Sequence, residues 1–352
     1  VQFGSDNQTG ASPKVFEKLL EANSGYTHGY GDDVWTKAAV TKLKEVFECD
    51  LEAFFVTTGT AANVLALSCL VQPWETVLCH ARAHLLTDES TAPEFFTGGA
   101  RLVGLGHGAG KLTADHLRDH LATAETDIPH SPKARVVSLT QANENGLVYT
   151  ASEIASIGDV AKEFNLHFHM DGARFTNALV SSGNTPAELT WKAGIDALCL
   201  GATKNGTLLA EAVIFFNGKN AGSMTHRRKR GGHLVSKGRV LGAQMLAWLE
   251  DNHWQELARH ANTLASQLSD ALTKVTQVQI VWPTQANEVF VIMPKTMARR
   301  LRTHGAEFYE WSPTALPAGV VLQEDQVLVR LVTSFMTTHE DVQAFIGVAT
   351  DG

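Results

Sequence analysis

Cysteine is scarce in this chain, and its placement excludes whole classes of structure. The four cysteines, Cys49, Cys69, Cys79 and Cys199, lie far apart and form no C-x-x-C pair. They offer neither a zinc knuckle nor a disulfide framework, and they read as buried free thiols of a reducing compartment. Long apolar runs are also missing, since none approaches the roughly 20 residues needed to cross a bilayer. Val1 to Gly10 has neither the charged nor the apolar region of a secretory signal. The expectation is a cytoplasmic protein with no membrane partner. Concentrated positive charge is short as well. Net charge is -8, and the one dense basic run is His226-Arg227-Arg228-Lys229-Arg230. A nucleic-acid partner therefore has little electrostatic support. Because that run precedes Gly231-Gly232, it reads as a solvated helix end, with a phosphate-reaching role as the alternative.

The 352 residues, 44% of them hydrophobic, are enough for a large core and two lobes. From about Leu51 onward, strands centred on Phe55, Val77, Val103, Val137, Phe168, Leu198 and Ile214 alternate with helical patterns. That rhythm predicts an α/β fold, a large domain with a mainly parallel seven-stranded sheet covered by helices. After a long helical region from Gly238 through Leu272, strands near Ile280, Phe290 and Val329 flank a helix over Pro294 to His304. The change predicts a smaller C-terminal α+β domain, with the division placed at 1–240 and 241–352. Pro13 and the helix after it argue that the first 30 residues are not a free arm.

Two segments carry most of the chemistry. His169-Met170-Asp171-Gly172-Ala173-Arg174 and Leu200-Gly201-Ala202-Thr203-Lys204-Asn205-Gly206 each follow a predicted strand, over Asn165 to Met170 and Asp196 to Leu200. In open α/β sheets ligands bind beyond the carboxyl ends of the strands, so Asp171 and Lys204 would emerge on one rim. A pyridoxal 5'-phosphate enzyme needs one lysine to hold the cofactor aldehyde and one carboxylate to keep the pyridine nitrogen protonated. Either residue alone reads as readily as a turn cap or a solvated cation. A third element joins them: after the apolar strand Leu51 to Val56 comes Thr57-Thr58-Gly59-Thr60-Ala61-Ala62-Asn63 and then a helical pattern. Such a turn presents free N–H groups and the positive end of a helix dipole, which suits a phosphate. An ordinary N-cap is the plainer reading of that turn by itself.

The ordered set resembles the threonine aldolase family, relatives of the β-eliminating lyases with the type I pyridoxal fold. The motifs are Ser5-Asp6-Asn7, Gly31-Asp32-Asp33, Thr58-Gly59-Thr60-Ala61-Ala62-Asn63, Ala83-His84, Asp171-Gly172-Ala173-Arg174, Thr203-Lys204, Arg228-Lys229 before Gly231-Gly232, and Arg330. The resemblance implies that Lys204 carries the cofactor, Asp171 pairs with its pyridine nitrogen and His84 stacks on its ring. It implies that Gly59, Thr60 and Thr203 hold the phosphate, with Thr58 also in the cofactor site, while Ser5, Arg174 and Arg330 gather around the substrate carboxylate and the cofactor's phenolic oxygen. Tyr30 and Asn143 are expected near the substrate. The implied reaction is retro-aldol cleavage of L-threonine, L-allo-threonine or an aryl-serine to glycine and an aldehyde. The implied state is a homo-oligomer, dimer or tetramer, whose sites are completed by loops of a neighbour, with Gly29 to Trp35 and the run around Arg228 as candidates.

Two positions depart from the family pattern. Asn143 stands where many members carry a second histidine, which leaves removal of the β-hydroxyl proton to His84, a water or Glu144. Trp35 stands where many have a tyrosine. The residues also allow three other readings. A metal-dependent hydrolase would use His167, His169 and Asp171, which share one strand face, with His80 and His84, but it leaves Lys204 without a job. No metal is expected. A non-enzymatic protein of the same fold, and a lyase that eliminates a β-substituent, complete the set.

Overall fold

The computed structural model describes the chain except for residues 107, 109, 125–128, 315, 351 and 352. Its larger sheet comprises β1 (Glu52–Val56), β2 (Glu75–His80), β3 (Arg101–Leu105), β4 (Lys133–Thr140), β5 (His167–Gly172), β6 (Ala197–Gly201) and β7 (Glu211–Phe215). Each strand contains the residue on which its pattern was centred. The spatial order is β1-β7-β6-β5-β4-β2-β3. All pairings among β2 to β6 are parallel, whereas β7 runs antiparallel to both β1 and β6. The expected β5 starts two residues late because Asn165 adopts a left-handed conformation, φ 55°, as the chain leaves the preceding helix.

Strand periodicity distributes this sheet's apolar residues to two cores. Leu198 and Leu200 of β6 fall in one cluster, Ala197 and Cys199 in the other. On the first face lie α1 (Pro13–Ala22), α2 (Val34–Phe47), α6 (Ala114–Thr123), α7 (Ala151–Glu163) and α8 (Phe175–Ser182), while the short α4 (His84–Thr87) and α5 (Ala92–Thr97) pack with the second cluster. On the second lies α3 (Gly59–Leu70), rich in Ala and Leu and buried nearly all round, which is why its sequence shows no polar stripe. After α9 (Met224–Arg230) comes α10 (Arg239–Leu249), which packs on α1 and α2.

A second sheet, wholly antiparallel, has the order β10-β11-β9-β8, with β8 (Gln279–Ile280), β9 (Glu288–Pro294), β10 (Tyr309–Glu310) and β11 (Gln326–Val332). It is backed by α11 (His253–Leu272), α12 (Lys295–Thr303) and α13 (His339–Thr350). The two-residue β10 has no pattern of its own to announce it. The chain start is anchored here. Phe3 accepts a hydrogen bond from the Val332 amide at 2.9 Å and stacks edge-on against Phe345 at 5.2 Å. That anchor delivers Ser5 and Asp6 to the seam with the larger sheet. No helix among the described residues is long and apolar enough to cross a membrane.

Candidate active site

A cavity of about 550 Å³ opens beyond the carboxyl ends of the larger sheet's strands and is closed on one side by the smaller sheet. Strand ends supply Asp171, Arg174, Thr203 and Lys204. The turn into α3 supplies Thr58, Gly59 and Thr60, and the first residue of α4 is His84. Ser5 comes from the chain start, Asn143 from the loop after β4 and Arg330 from β11. Residues separated by more than 300 positions thus share one wall.

Asp171 sits in a polar chain that the sequence reading did not identify. Its Oδ2 accepts from Asn63 Nδ2 at 2.9 Å, and Oδ1 from the Ala173 amide at 3.0 Å. The same Asn63 amide also donates to Glu89 Oε1 at 3.0 Å, and that oxygen lies 2.9 Å from His84 Nδ1. The Glu89 hydrogen bond is the main cause that raises the His84 pKa, against the opposing effect of burial. With Nδ1 held by a carboxylate, Nε2 is the ring nitrogen left for other work. Glu89 follows a four-residue helix and belongs to no periodic pattern, so only its spacing of five from His84 hinted at it.

A second buried network holds the arginines. Arg174 makes a two-pronged contact with Asp6, Nε to Oδ2 at 2.8 Å and Nη2 to Oδ1 at 3.0 Å. Asn287 Nδ2 adds a bond to Asp6 Oδ2 at 3.0 Å. Glu288 lies 3.4 Å from Arg174 and 3.5 Å from Arg330. Burial alone would raise the Asp6 pKa, but the charge of Arg174, with that of Lys204, turns the net shift downward. For Lys204, burial first and the Arg174 charge second pull the ammonium below its ordinary range. Arg330 stacks over Trp311 at 4.3 Å, and its buried Nε has no hydrogen-bond partner among the described residues. Asp6 was within a quoted motif without a role. Glu288 lies at the start of a strand and gave no signal.

On the opposite wall, Thr58 caps α3 by accepting from the Ala61 amide at 3.1 Å. A Cβ built on Gly59 would meet nothing within 4 Å, so the turn faces open space. Thr203 hydrogen-bonds to the carboxyl of Glu211, which also accepts from the Ala202 amide at 2.9 Å. Glu211 lines the cavity and was missed because it opens an otherwise apolar strand.

Of two residues expected near the substrate, one lines the cavity and the other does not. Asn143 lines the cavity, but its amide is taken up by the loop: Oδ1 accepts from Asn145 and Leu147, each at 3.0 Å, and Nδ2 donates to Gly110 at 3.2 Å. Its neighbour Glu144 accepts from the His84 amide and the Thr140 hydroxyl, both at 2.8 Å, and burial raises its pKa. Tyr30 does not line the cavity. It stands 55% exposed with Lys229 over its ring at 5.3 Å, as a left-handed turn directs it outward. In α9 only Met224 is fully buried, and Arg228 turns in to stack on Phe54 at 5.5 Å. The hydrolase set does not converge. His167 faces Asp196, and His169 lies between Ser138 Oγ at 2.9 Å and Cys199 Sγ at 3.2 Å. The one His/Cys/Asp/Glu cluster of metal-binding spacing among the described residues is His84, Glu89 and Asp171; Glu89 Oε1 bonds to His84 and Asn63, and Asn63 to Asp171, while Glu89 Oε2 and Asn63 Oδ1 are buried without a hydrogen-bond partner.

A family model described as beta-eliminating lyase matches residues 2–296. A low specificity L-threonine aldolase of a Pseudomonas species is 46% identical over 308 residues, 88% of each chain. One of Pseudomonas aeruginosa is 45% identical over the same length, again 88% of each. The solved threonine aldolase of Leishmania major superposes with a TM-score of 0.91 at 29% identity, covering 99% of this chain and 98% of that one. Its fold, the cavity at its strand ends and these likenesses agree, and the chain belongs to the beta-eliminating lyase family.

Proposed function

We propose that this protein is a pyridoxal 5'-phosphate-dependent carbon–carbon lyase that cleaves L-threonine, L-allo-threonine and related β-hydroxy-α-amino acids, aryl-serines included, to glycine and an aldehyde. The observation that carries the reading is the single cavity shared by Lys204, Asp171, the Thr58-Gly59-Thr60 turn and the arginine pair. The donor set fits the group: an uncrowded helix start for a phosphate, a buried carboxylate for a pyridinium, and a buried lysine whose lowered pKa favours the free amine. Lys204 would hold the aldehyde, Asp171 the ring nitrogen, and Thr58, Gly59, Thr60 and Thr203 the phosphate. When bound, the group supplies an electron sink for the carbanion left at Cα.

The remaining work falls to the chain's own residues. Arg174 and Arg330, with Ser5, orient the substrate carboxylate, the unpartnered Nε of Arg330 being a donor in waiting. His84 would lie against the ring and move the proton at the β-hydroxyl oxygen through Nε2, with Glu144 as the alternative base. Asn143 shapes the substrate side of the cavity. The chain divides, in our reading, into a large lobe of 1–240 and a small one of 241–352, with α10 lying against the former and Phe3 against the latter. It works in the cytoplasm as a homo-oligomer, dimer or tetramer, in which Tyr30 and the segment around Arg228 approach a neighbour's site.

The test is direct. Purified protein should show a visible absorbance band that borohydride removes, and should release glycine and acetaldehyde from L-threonine. Absence of the band would refute the cofactor assignment. Ammonia and a keto acid in place of glycine would mean β-elimination instead.

A further inference from the structure

Glu211 lines the cavity as a buried carboxyl beside the proposed phosphate wall, with no task in the scheme so far. It is the first residue of β7, opposite Val56 of β1 and Gly201 of β6, and so stands between the turn at Thr57-Thr58-Gly59 and the turn at Thr203-Lys204. Its side chain is 6% exposed and is held by the Ala202 amide at 2.9 Å and by the Thr203 hydroxyl. Of the facing elements, Thr57 to Ala62 bring no titratable group, while the β6 end brings Lys204 and the buried thiol of Cys199.

A hydroxyl has one hydrogen to donate and an ionised carboxylate has none. Thr203 Oγ1 already accepts from the Ala210 amide at 3.3 Å. While Glu211 is ionised, the Thr203 hydrogen is therefore committed to Glu211 and unavailable to a phosphate. We propose that phosphate binding at this wall is coupled to proton uptake by Glu211. The proton goes from solvent to the Glu211 carboxylate, and the new O–H donates to Thr203 Oγ1. The Thr203 hydrogen is then released toward the cavity and donates to the phosphate. No covalent bond other than the O–H changes. Two negative groups against one dry wall become one, which removes the repulsion that an ionised Glu211 would exert. Burial, outweighing the hydrogen bonds of Thr203 and Ala202, pushes the Glu211 carboxyl up to about 7, so the proton is available at neutral pH.

The inference rests on the cofactor reading, and the experiment separates the two. Apoprotein is titrated with pyridoxal 5'-phosphate and with pyridoxal across the neutral range, and the ratio of the two dissociation constants is followed. Both ligands form the lysine adduct, and the internal hemiacetal that pyridoxal must first open is the same for wild type and variant, so it cancels when the two proteins are compared. In the wild type the advantage conferred by the phosphate should fall as pH rises, by at most about tenfold per pH unit. Glu211→Gln, whose amide always has a hydrogen to give, should flatten that slope. An equal slope in both proteins would overturn the proposal while leaving the cofactor assignment intact. If neither ligand gives an absorbance band that borohydride removes, the cofactor reading falls first and takes this one with it. Should Glu211→Gln fail to fold, infrared difference spectra of wild-type apoprotein and loaded protein still decide. A protonated-carboxyl band must appear on loading with pyridoxal 5'-phosphate and shift in Glu211→Asp, and its absence overturns the proposal.

Discussion

Glu89 Oε1 lies 2.9 Å from His84 Nδ1, and this contact is the main cause of the raised His84 pKa. Glu89→Gln should therefore move the His84 titration to lower pH. If His84 acts as a base, the ascending limb of the pH–rate profile moves the same way, because the neutral imidazole is populated earlier. A drop in rate with an unmoved limb would show that Glu89 serves packing alone.

Lys204→Ala should abolish both turnover and the absorbance band. Reduction with borohydride followed by peptide mapping checks the assignment, and a stable adduct on any other lysine would contradict it. Asp171→Asn should bind the cofactor weakly and lose nearly all activity, and an unchanged rate would remove Asp171 from the proposed scheme.

The β-hydroxyl proton can be isolated from the rest of the reaction. His84→Asn should lower the retro-aldol rate by roughly 100- to 10,000-fold, the range typical of a general base, while exchange of the glycine Cα proton suffers much less. Equal losses in the two assays at saturating cofactor would point to lost ring stacking. Glu144→Gln then becomes the variant to compare.

Asp6→Asn tests the clamp on Arg174. Removing one partner of a buried ion pair costs about 3–5 kcal/mol, which denaturant unfolding would register. The folded-state pKa of Asp6 lies below its ordinary value of 3.8. Its contribution is thus present above that value and is lost as pH falls through the depressed one. The variant should lack this acid limb, and a wild-type limb at the same pH in the variant would count against the clamp.

His169 gives a separate window. Burial lowers its pKa from 6.5 to about 4. Between those values the unfolded chain binds a proton that the folded one refuses, so stability should fall as pH drops from 6.5 toward 4 and gain nothing from this group above 6.5. His169→Asn should flatten that window in denaturation curves, and an unaltered slope would assign it to other groups.

The sequence disclosed those parts of the site that obey local rules. Asp171 lies among the last residues of β5, Lys204 just beyond β6, and Thr58 where a strand gives way to a helix, so pattern alone brought all three to the same rim. The order of motifs supplied the rest of the aldolase reading. Glu89, Glu288 and Glu211 stayed hidden, and Asn63 and Asp6 stood in motifs without a role, because each acts through a tertiary partner: Asn63 reads as the end of the turn into α3 until Asp171 and Glu89 are seen on either side of it. Asn143 shows the converse limit. Its position was anticipated, yet three hydrogen bonds to backbone fix its amide in the loop, which no spacing rule reveals. The small β10 and the late start of β5 were lost to the same cause, local backbone choices set by neighbours.

The reversal of β7 has a consequence for how this rim can change. In a purely parallel sheet every residue at the ligand edge ends a strand and leads into a loop, and loops drift readily under selection. Running backward between β1 and β6, β7 brings the start of a strand to that edge, and Glu211 is fixed there by ladder bonds on both sides. Loops around the cavity can be remodelled without moving this one position, so the rim of this chain combines a strand-fixed carboxylate with loop-borne neighbours.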